Sequence, residues 1–367
     1  MARSVNDRLQ DETIAHGLYV TRYGTGVARR MVALLNKLDA DLAAKLLVLL
    51  DGKRADNYSA RRLASLLAGV RDLNQQAYEP VNEALARELT SYVEYEAGYQ
   101  MDLFSSLIPE QILRHIPLQS VAPEQVYASA IAQPFQGRLL KEWGKKLETD
   151  RLDKITNAVR SGFLQGETVE QIVRRVAGTA KLNREDGVIN ASRRDLAVVA
   201  RTAVNHMAAS ARQDFALANI DIVKAKQWSS TLDTHTSQWC IIRDRKLYSL
   251  DGKPLGHVVP YLRGPGKIHF CCRSGEILLT KSWAELNIPK NELSGATRAS
   301  MDGQVPASTS YADWLTRQPY ARQEQVLGIT RAQMLREGKI TVPEMFNDAG
   351  EFLTLDALRR LDAAAFE

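Results

Sequence analysis

The chain has 367 residues, 45% hydrophobic and 25% charged, with 48 lysines and arginines against 43 aspartates and glutamates, a formal charge of only +5. That length accommodates two or three domains with sizeable cores, and the small basic excess permits contact with nucleic acid without arguing for it. Three cysteines, two of them adjacent at Cys271 and Cys272, exclude the evenly spaced framework of a disulfide-stapled secreted fold and point to a reducing compartment. Residues 1–26 carry charges throughout with no apolar core of signal-peptide length, and no later stretch reaches about eighteen uninterrupted apolar residues, so a soluble protein made in the cytoplasm is expected.

Between 27 and 51, Met31, Leu34, Leu35, Leu38, Leu42, Leu46 and Leu49 recur at three- and four-residue intervals, the spacing of one face of an amphipathic helix. A second stripe from Arg61 runs through Leu63, Leu66, Leu67, Val70, Leu73, Ala77, Val81, Leu85, Leu89, Tyr92 and Val93, with a break or kink expected at Pro80. Two long helices packed antiparallel are the predicted result. Residues 109–136, with Pro109, Pro117, Pro123 and Pro134, read as a connector between helical layers. Residues 137–178 read as helical, interrupted by a turn at Gly166, after which Thr168 caps a new helix.

Small and apolar residues on nearly every turn of 193–220 predict a buried or half-buried helix. The period then changes to two over 222–228, the pattern of a strand, and 241–282 reads as short strands and loops around Gly252, Gly256, Gly264 and Gly266. Helices return from Tyr311 to Leu361, either side of Gly338 and after Gly350. The expected fold class is α+β, predominantly α-helical. The expected division is an N-terminal helical region (1–115), a connector with helices (116–190), a small mixed α/β domain (191–285), and a linker with a helical C-terminal region (286–367).

Residue types capable of chemistry gather between Trp228 and Arg273: Asp233, His235, Cys240, Asp244, His257, His269, Cys271, Cys272 and Arg273. Thiolates and imidazoles favour tetrahedral zinc, which makes Cys240, His257, His269 and Cys272 weak zinc candidates, because two close ligand pairs are not both present. Buried reduced cysteines, or Cys240 paired with Cys271 or Cys272, are the plainer readings. A metal-independent nuclease centre would draw on Arg201, His206, His235 and His269 as acid, base and phosphate clamp, although no spacing fixes such a geometry. Arg201 and Asn205 share a helix face with Thr202 beside them, and bonding to neighbouring backbone is preferred there over ligand contact. Trp228, Trp239, Trp283 and Trp314 read as core or interface anchors. No cofactor is otherwise indicated.

Three stretches resemble the phage Mu F-like family, the minor head or head morphogenesis proteins of tailed bacteriophages. The first is Ala200-Arg201-Thr202 with Asn205, closing at Ala211-Arg212. The second is Trp228 to Ser237 with Asp233, His235 and Thr236, then Cys240, Asp244, Lys246, Leu247 and Tyr248. The third runs from Pro260-Tyr261 through Gly264-Pro265-Gly266 to His269-Phe270-Cys271-Cys272-Arg273-Ser274, its core a His, two residues, then Cys-Arg. Two positions depart from the family pattern: Cys271, where a cysteine is unusual, and Arg245, where Asp-Gly-Lys is commoner than Asp244-Arg245-Lys246. The stretch Tyr311–Leu315, with Arg317-Gln318-Pro319 and Val326-Leu327-Gly328, is similar to an appendage that often follows this domain. The likeness covers roughly 190 to 360.

The resemblance implies a low-copy, capsid-associated protein of the virion, at the capsid interior or portal vertex, made in the host cytoplasm and acting in head morphogenesis and in DNA packaging or ejection. Its implied partners are the phage portal protein and inner capsid, with non-specific contact to packaged DNA permitted and no membrane in the assembled head. Some relatives fuse this domain to toxins, so a nuclease or toxin-like enzyme delivered with the genome is the alternative, and no catalytic residue is assigned. The resemblance carries over Arg201, Thr202, Asn205, Asp233, Thr236, Cys240, His269, Cys272 and Arg273 as a structural polar centre that positions helix against strands.

Overall fold

The chain opens with two long helices, α1 (Val5–Asp51) and α2 (Ala60–Leu107). A computed structural model describes residues 4–51, 60–182, 184–282, 285–286, 297–306 and 309–361. Helix α1 starts well before the apolar stripe because Ser4 and Asp7 form a reciprocal cap: the Asp7 N–H donates to Ser4 Oγ (3.1 Å) and the Ser4 N–H to Asp7 Oδ2 (3.3 Å). Helix α2 runs through Pro80 as one element, so the expected break is absent. Proline costs a helix its backbone bond to the preceding turn, but Tyr78 and Val81 on either side are fully buried and hold the helix in place by packing.

The proline-rich connector contains two short helices, α3 (Glu110–His115) and α4 (Pro123–Ala132). Next come α5 (Leu140–Leu164) and α6 (Val169–Ala177), with Thr168 capping the latter as its sequence predicts: Thr168 Oγ1 accepts from the Gln171 N–H, and Gln171 Oε1 accepts in return from the Thr168 N–H. Helix α7 (Asn190–Ala218) leads into strand β1 (Val223–Ser229), the short helix α8 (Gln238–Ile241), and strands β2 (Leu247–Tyr248), β3 (Pro254–Leu255) and β4 (Gly275–Thr280). A hairpin of β5 (Thr297–Ser300) and β6 (Gly303–Pro306) follows, then α9 (Tyr311–Thr316), α10 (Tyr320–Leu327), α11 (Ile329–Arg336) and α12 (Leu355–Leu361). The described residues are 64% helical with a small four-stranded antiparallel sheet, a predominantly α-helical α+β fold. No helix among the described residues is long and apolar enough to cross a membrane. Trp283 and residues 287–296 of the expected linker lie outside the described residues.

Packing forms two units, each drawn from separated segments: Met1–Thr21, Val93–Ala130 and Asn205–Glu367 in one, Arg22–Tyr92 and Ile131–Val204 in the other. The boundaries fall inside α1, α2, α4 and α7.

In the second unit α1 and α2 are antiparallel, with Tyr23 stacked on Tyr92 at 4.7 Å and Arg30 paired with Glu88 through Nη2 at 2.7 Å. Leu42 and Leu46 of α1, Leu66 and Val70 of α2, Ile155 and Val159 of α5, and Ile172 and Val176 of α6 make its core. Beside that core Asp39 is buried between Arg151, which donates to its Oδ1, and Arg193, whose Nη2 donates to its Oδ2 at 3.0 Å. The Arg151 guanidinium also lies over the Tyr78 ring at 5.4 Å, and burial pushes the Tyr78 phenol up to about 12.

In the first unit the sheet order is β3-β2-β1-β4, all antiparallel, with Lys226 opposite both Tyr248 and Leu278. Phe215 and Ala216 of α7 and Ile277 and Leu278 of β4 close a core with Leu9, Leu103 and Phe104. The C-terminal helices build a further core around Tyr311, Trp314, Leu315 and Met345, and Leu232 and Ile241 enter it from the sheet side.

Candidate functional site

Beyond the end of β1 the chain folds back on itself through side chain to backbone bonds. The Ser230 hydroxyl donates to the Cys240 carbonyl at 2.8 Å, and the Ser230 N–H donates to Asp244 Oδ1 at 2.8 Å. Between them Asp233 forms a local turn of the kind its short carboxylate favours, accepting from the His235 N–H (2.9 Å) and Thr236 Oγ1 (3.2 Å). Arg273 then clasps Asp233 with both terminal nitrogens, Nη2 at 2.9 Å from Oδ1, a forked geometry that fixes orientation as well as charge. Half-burial works against ionisation of Asp233, but the Arg273 guanidinium outweighs it and holds the carboxyl below its ordinary range.

Ser237 caps α8, its Oγ accepting from the Cys240 N–H at 3.4 Å, which sets Cys240 inside the fold one turn later. Its Sγ lies 3.3 Å from His269 Nε2 and 3.7 Å from Cys272 Sγ, and these three ligand-type atoms all fall within 4.8 Å of one another. The Cys272 sulfur also accepts from the Gly266 N–H at 3.4 Å. Gly266 is required there: its φ is +76°, and an added Cβ would stand 3.0 Å from the Asn205 carbonyl oxygen. Trp228, Tyr248 and Ile268 enclose the two sulfurs. Burial pushes the Cys240 thiol well up, and neighbouring Cys272 adds to the effect. For Cys272 burial acts the same way, but hydrogen bonds from Cys240 and from the Gly266 and Ser274 N–H groups outweigh it and bring the thiol down.

A cavity of about 330 Å³ opens beside the ion pair, lined among others by Gly17, Asn205, Arg212, Asp233, Gly266 and Arg273. Both of its arginines face carboxylates, Arg273 on Asp233 and Arg212 3.9 Å from the buried Glu96. What the arrangement sets up chemically is two thiols against an imidazole and a guanidinium against a carboxylate.

Of the polar set read from the sequence, Asp233, Thr236 and Arg273 are joined by hydrogen bonds, and Cys240, His269 and Cys272 form the adjoining cluster. Asn205 lines the cavity. Arg201 and Thr202 belong to the second unit, where each bonds to its own helix, Arg201 Nε to the Ala197 carbonyl (3.1 Å) and Thr202 Oγ1 to the Val198 carbonyl (2.7 Å). His257, the fourth zinc candidate, is not part of the cluster: its Nε2 donates to the Leu247 carbonyl at 2.8 Å and its ring packs edge-on against Tyr248. Of the residues grouped as a nuclease centre, His206 is buried and bonds to the Ala130 carbonyl (2.8 Å), while His235 is exposed. Cys240, Cys271 and Cys272 are all free thiols. Trp228 and Trp314 are core residues, but Trp239 is 36% exposed.

Two residues matter more than their sequence suggested. Arg243 is fully buried and donates to three carbonyls, those of Trp239 (2.7 Å), Pro260 (2.9 Å) and Ala349 (3.1 Å). Asp244 accepts from the Ser230 N–H through Oδ1 and from the Tyr311 N–H through Oδ2, each at 2.8 Å, so it links the sheet region to α9. A buried Lys226, lying 4.1 Å over the Tyr261 ring and 3.8 Å from Glu276, was not among the residues singled out from the sequence. No family model, no curated protein and no solved structure matches the chain.

Proposed function

We propose that this chain is a minor head protein of a tailed bacteriophage, of the Mu F-like kind, acting in head morphogenesis at or near the portal and in packaging or ejection of the genome. One observation carries the reading: the second and third stretches of the likeness and the appendage at Tyr311, separate in sequence, meet in one bonded centre through Asp233–Arg273, Cys240–His269–Cys272 and Asp244, whereas Arg201 and Thr202 of the first stretch bond within their own helix. A second agrees with it. Arg245, which stands where the Mu F-like pattern commonly has glycine, has φ +66°, a conformation glycine adopts without steric cost. In this reading the centre holds the domain's shape, and binding to partners is left to exposed surface.

The portal ring and the inner capsid are the partners, and the long helices are the docking elements. Exposed Leu47 and Val48 near the end of α1 are apolar surface of the sort such docking uses. The formal charge of +5 permits, without itself arguing for, salt-sensitive contact with packaged DNA. The enzyme alternative draws less support, because His206 is held in the interior by the Ala130 carbonyl.

A stop codon placed in the gene, in the phage that carries it, tests the proposal. The expected result is loss of infectious particles with malformed or incompletely filled heads, restored by the wild-type chain supplied in trans. Normal heads, normal DNA content and normal titre without the chain would contradict it.

A further inference from the structure

We propose that Cys240, His269 and Cys272 bind one zinc ion, which cross-links the sheet region of the first unit. Two thiolates bound tetrahedrally to one zinc at about 2.3 Å stand about 3.8 Å apart, and a thiolate and an imidazole nitrogen about 3.6 Å apart. The observed Cys240–Cys272 separation of 3.7 Å and Cys240–His269 separation of 3.3 Å already approach those edges.

The imidazole is set for the task. His269 Nδ1 lies 2.9 Å from the Phe270 carbonyl oxygen, which can only accept, so Nδ1 carries the proton and the Nε2 lone pair faces the sulfurs. A backbone carbonyl that fixes the tautomer in this way is the outer partner that metal-binding histidines characteristically have. The Gly266 N–H aimed at Cys272 Sγ does the same for a sulfur, since a backbone donor stabilises a thiolate more than a thiol. Two sulfurs and one imidazole in a closely held group select zinc among the common divalent ions over magnesium or calcium, which prefer oxygen.

The ligands come from three places along the chain: α8, the residue before Phe270, and the residue before Arg273. Bound zinc would tie segments 29 and 32 residues apart into one covalent-like knot. The fourth position is filled by water or by a ligand from outside the chain. His257 takes no part, being committed to the Leu247 carbonyl. Cys271, whose φ of +52° turns it away from the regular backbone path, is also outside the group.

The test uses the full chain, purified under reducing conditions without chelator, with elemental analysis for zinc and reconstitution with cobalt(II) after zinc removal. The expected result is one zinc per chain, and a cobalt form showing the visible bands of a tetrahedral site with thiolate-to-metal charge transfer. Cys240→Ser and Cys272→Ser should each abolish stoichiometric zinc, while Cys271→Ser and His257→Gln keep it. His269→Cys should retain cobalt with stronger charge transfer, a gain that misfolding cannot imitate. Three results would overturn the proposal: no retained zinc and no cobalt spectrum in the folded wild-type chain, full zinc retention in the Cys240→Ser/Cys272→Ser double variant, or a Cys240–Cys272 disulfide that takes up no metal once reduced.

Discussion

Substituting Asp244 by asparagine tests how the sheet region is fastened to the C-terminal helices. The carboxylate is nearly buried and satisfies two buried backbone donors at once, Ser230 N–H and Tyr311 N–H, each at 2.8 Å. Hydrogen bonds to a charged acceptor contribute about 1.5–3 kcal/mol each. Asparagine offers one oxygen, so it keeps one bond in weaker, neutral form and turns an NH2 group toward the other N–H, which is left buried without an acceptor. The expected loss is about 3 kcal/mol, and since about 1.4 kcal/mol is a factor of ten, exchange protection at these amides should fall roughly a hundredfold. Hydrogen exchange resolved at Ser230 and Tyr311 reads this locally, and urea unfolding reads it globally. Protection at both amides within about threefold of wild type, with a stability change under about 1 kcal/mol, would refute the assigned role.

In the second unit, Asp39→Asn leaves two buried guanidiniums without their shared carboxylate and should cost about 3–5 kcal/mol by chemical unfolding, whereas a cost below about 1 kcal/mol would mean that the Arg151–Asp39–Arg193 group is not desolvated as described. The folded Asp233 carboxyl is held below its unfolded value, so its contribution is present above the ordinary carboxylate range near about pH 4 and is lost as pH falls through the folded value. Acid unfolding should therefore show a limb there that Arg273→Gln removes, and an unchanged limb would contradict the pairing. Thr168→Ala removes the cap of α6 and should cost about 1 kcal/mol, while Thr168→Asn should restore most of it. Equal stability of all three would show that the cap contributes nothing.

The elements of this fold were readable where periodicity was strong and local. The α1 and α2 stripes, the Thr168 cap and the switch to a two-residue period at β1 each depend on neighbours within a few positions. That the helix continues rather than breaks at Pro80 was not readable, because Tyr78 and Val81 beside it are fully buried and burial is not a local property of the sequence. Segment boundaries read from the sequence follow the chain, whereas packing joins Val93–Ala130 to Asn205–Glu367 and leaves Arg22–Tyr92 with Ile131–Val204. The site was legible in part. Cys240, His269, Cys272, Asp233 and Arg273 stood out by type and by the spacing of His269 to Cys272, but residue type alone kept His257 among the zinc candidates. Arg243 and Lys226 gave no signal at all, since an isolated basic residue is solvated by default, and burial becomes tolerable through the three carbonyls around Arg243 and through Gln213 Oε1, Glu276 and the Tyr261 ring around Lys226.

The proposal that this chain is part of a phage head is tested most directly by counting it in particles. Virions, procapsids and DNA-ejected particles of the phage that carries the gene would be purified, and this chain quantified against the portal protein by mass spectrometry. A head protein should be found at a few copies per particle, accompanying the portal in both procapsids and virions, with a drop after ejection if the chain leaves with the genome. Absence from procapsids and virions alike would contradict it and turn attention to an enzyme acting outside the particle.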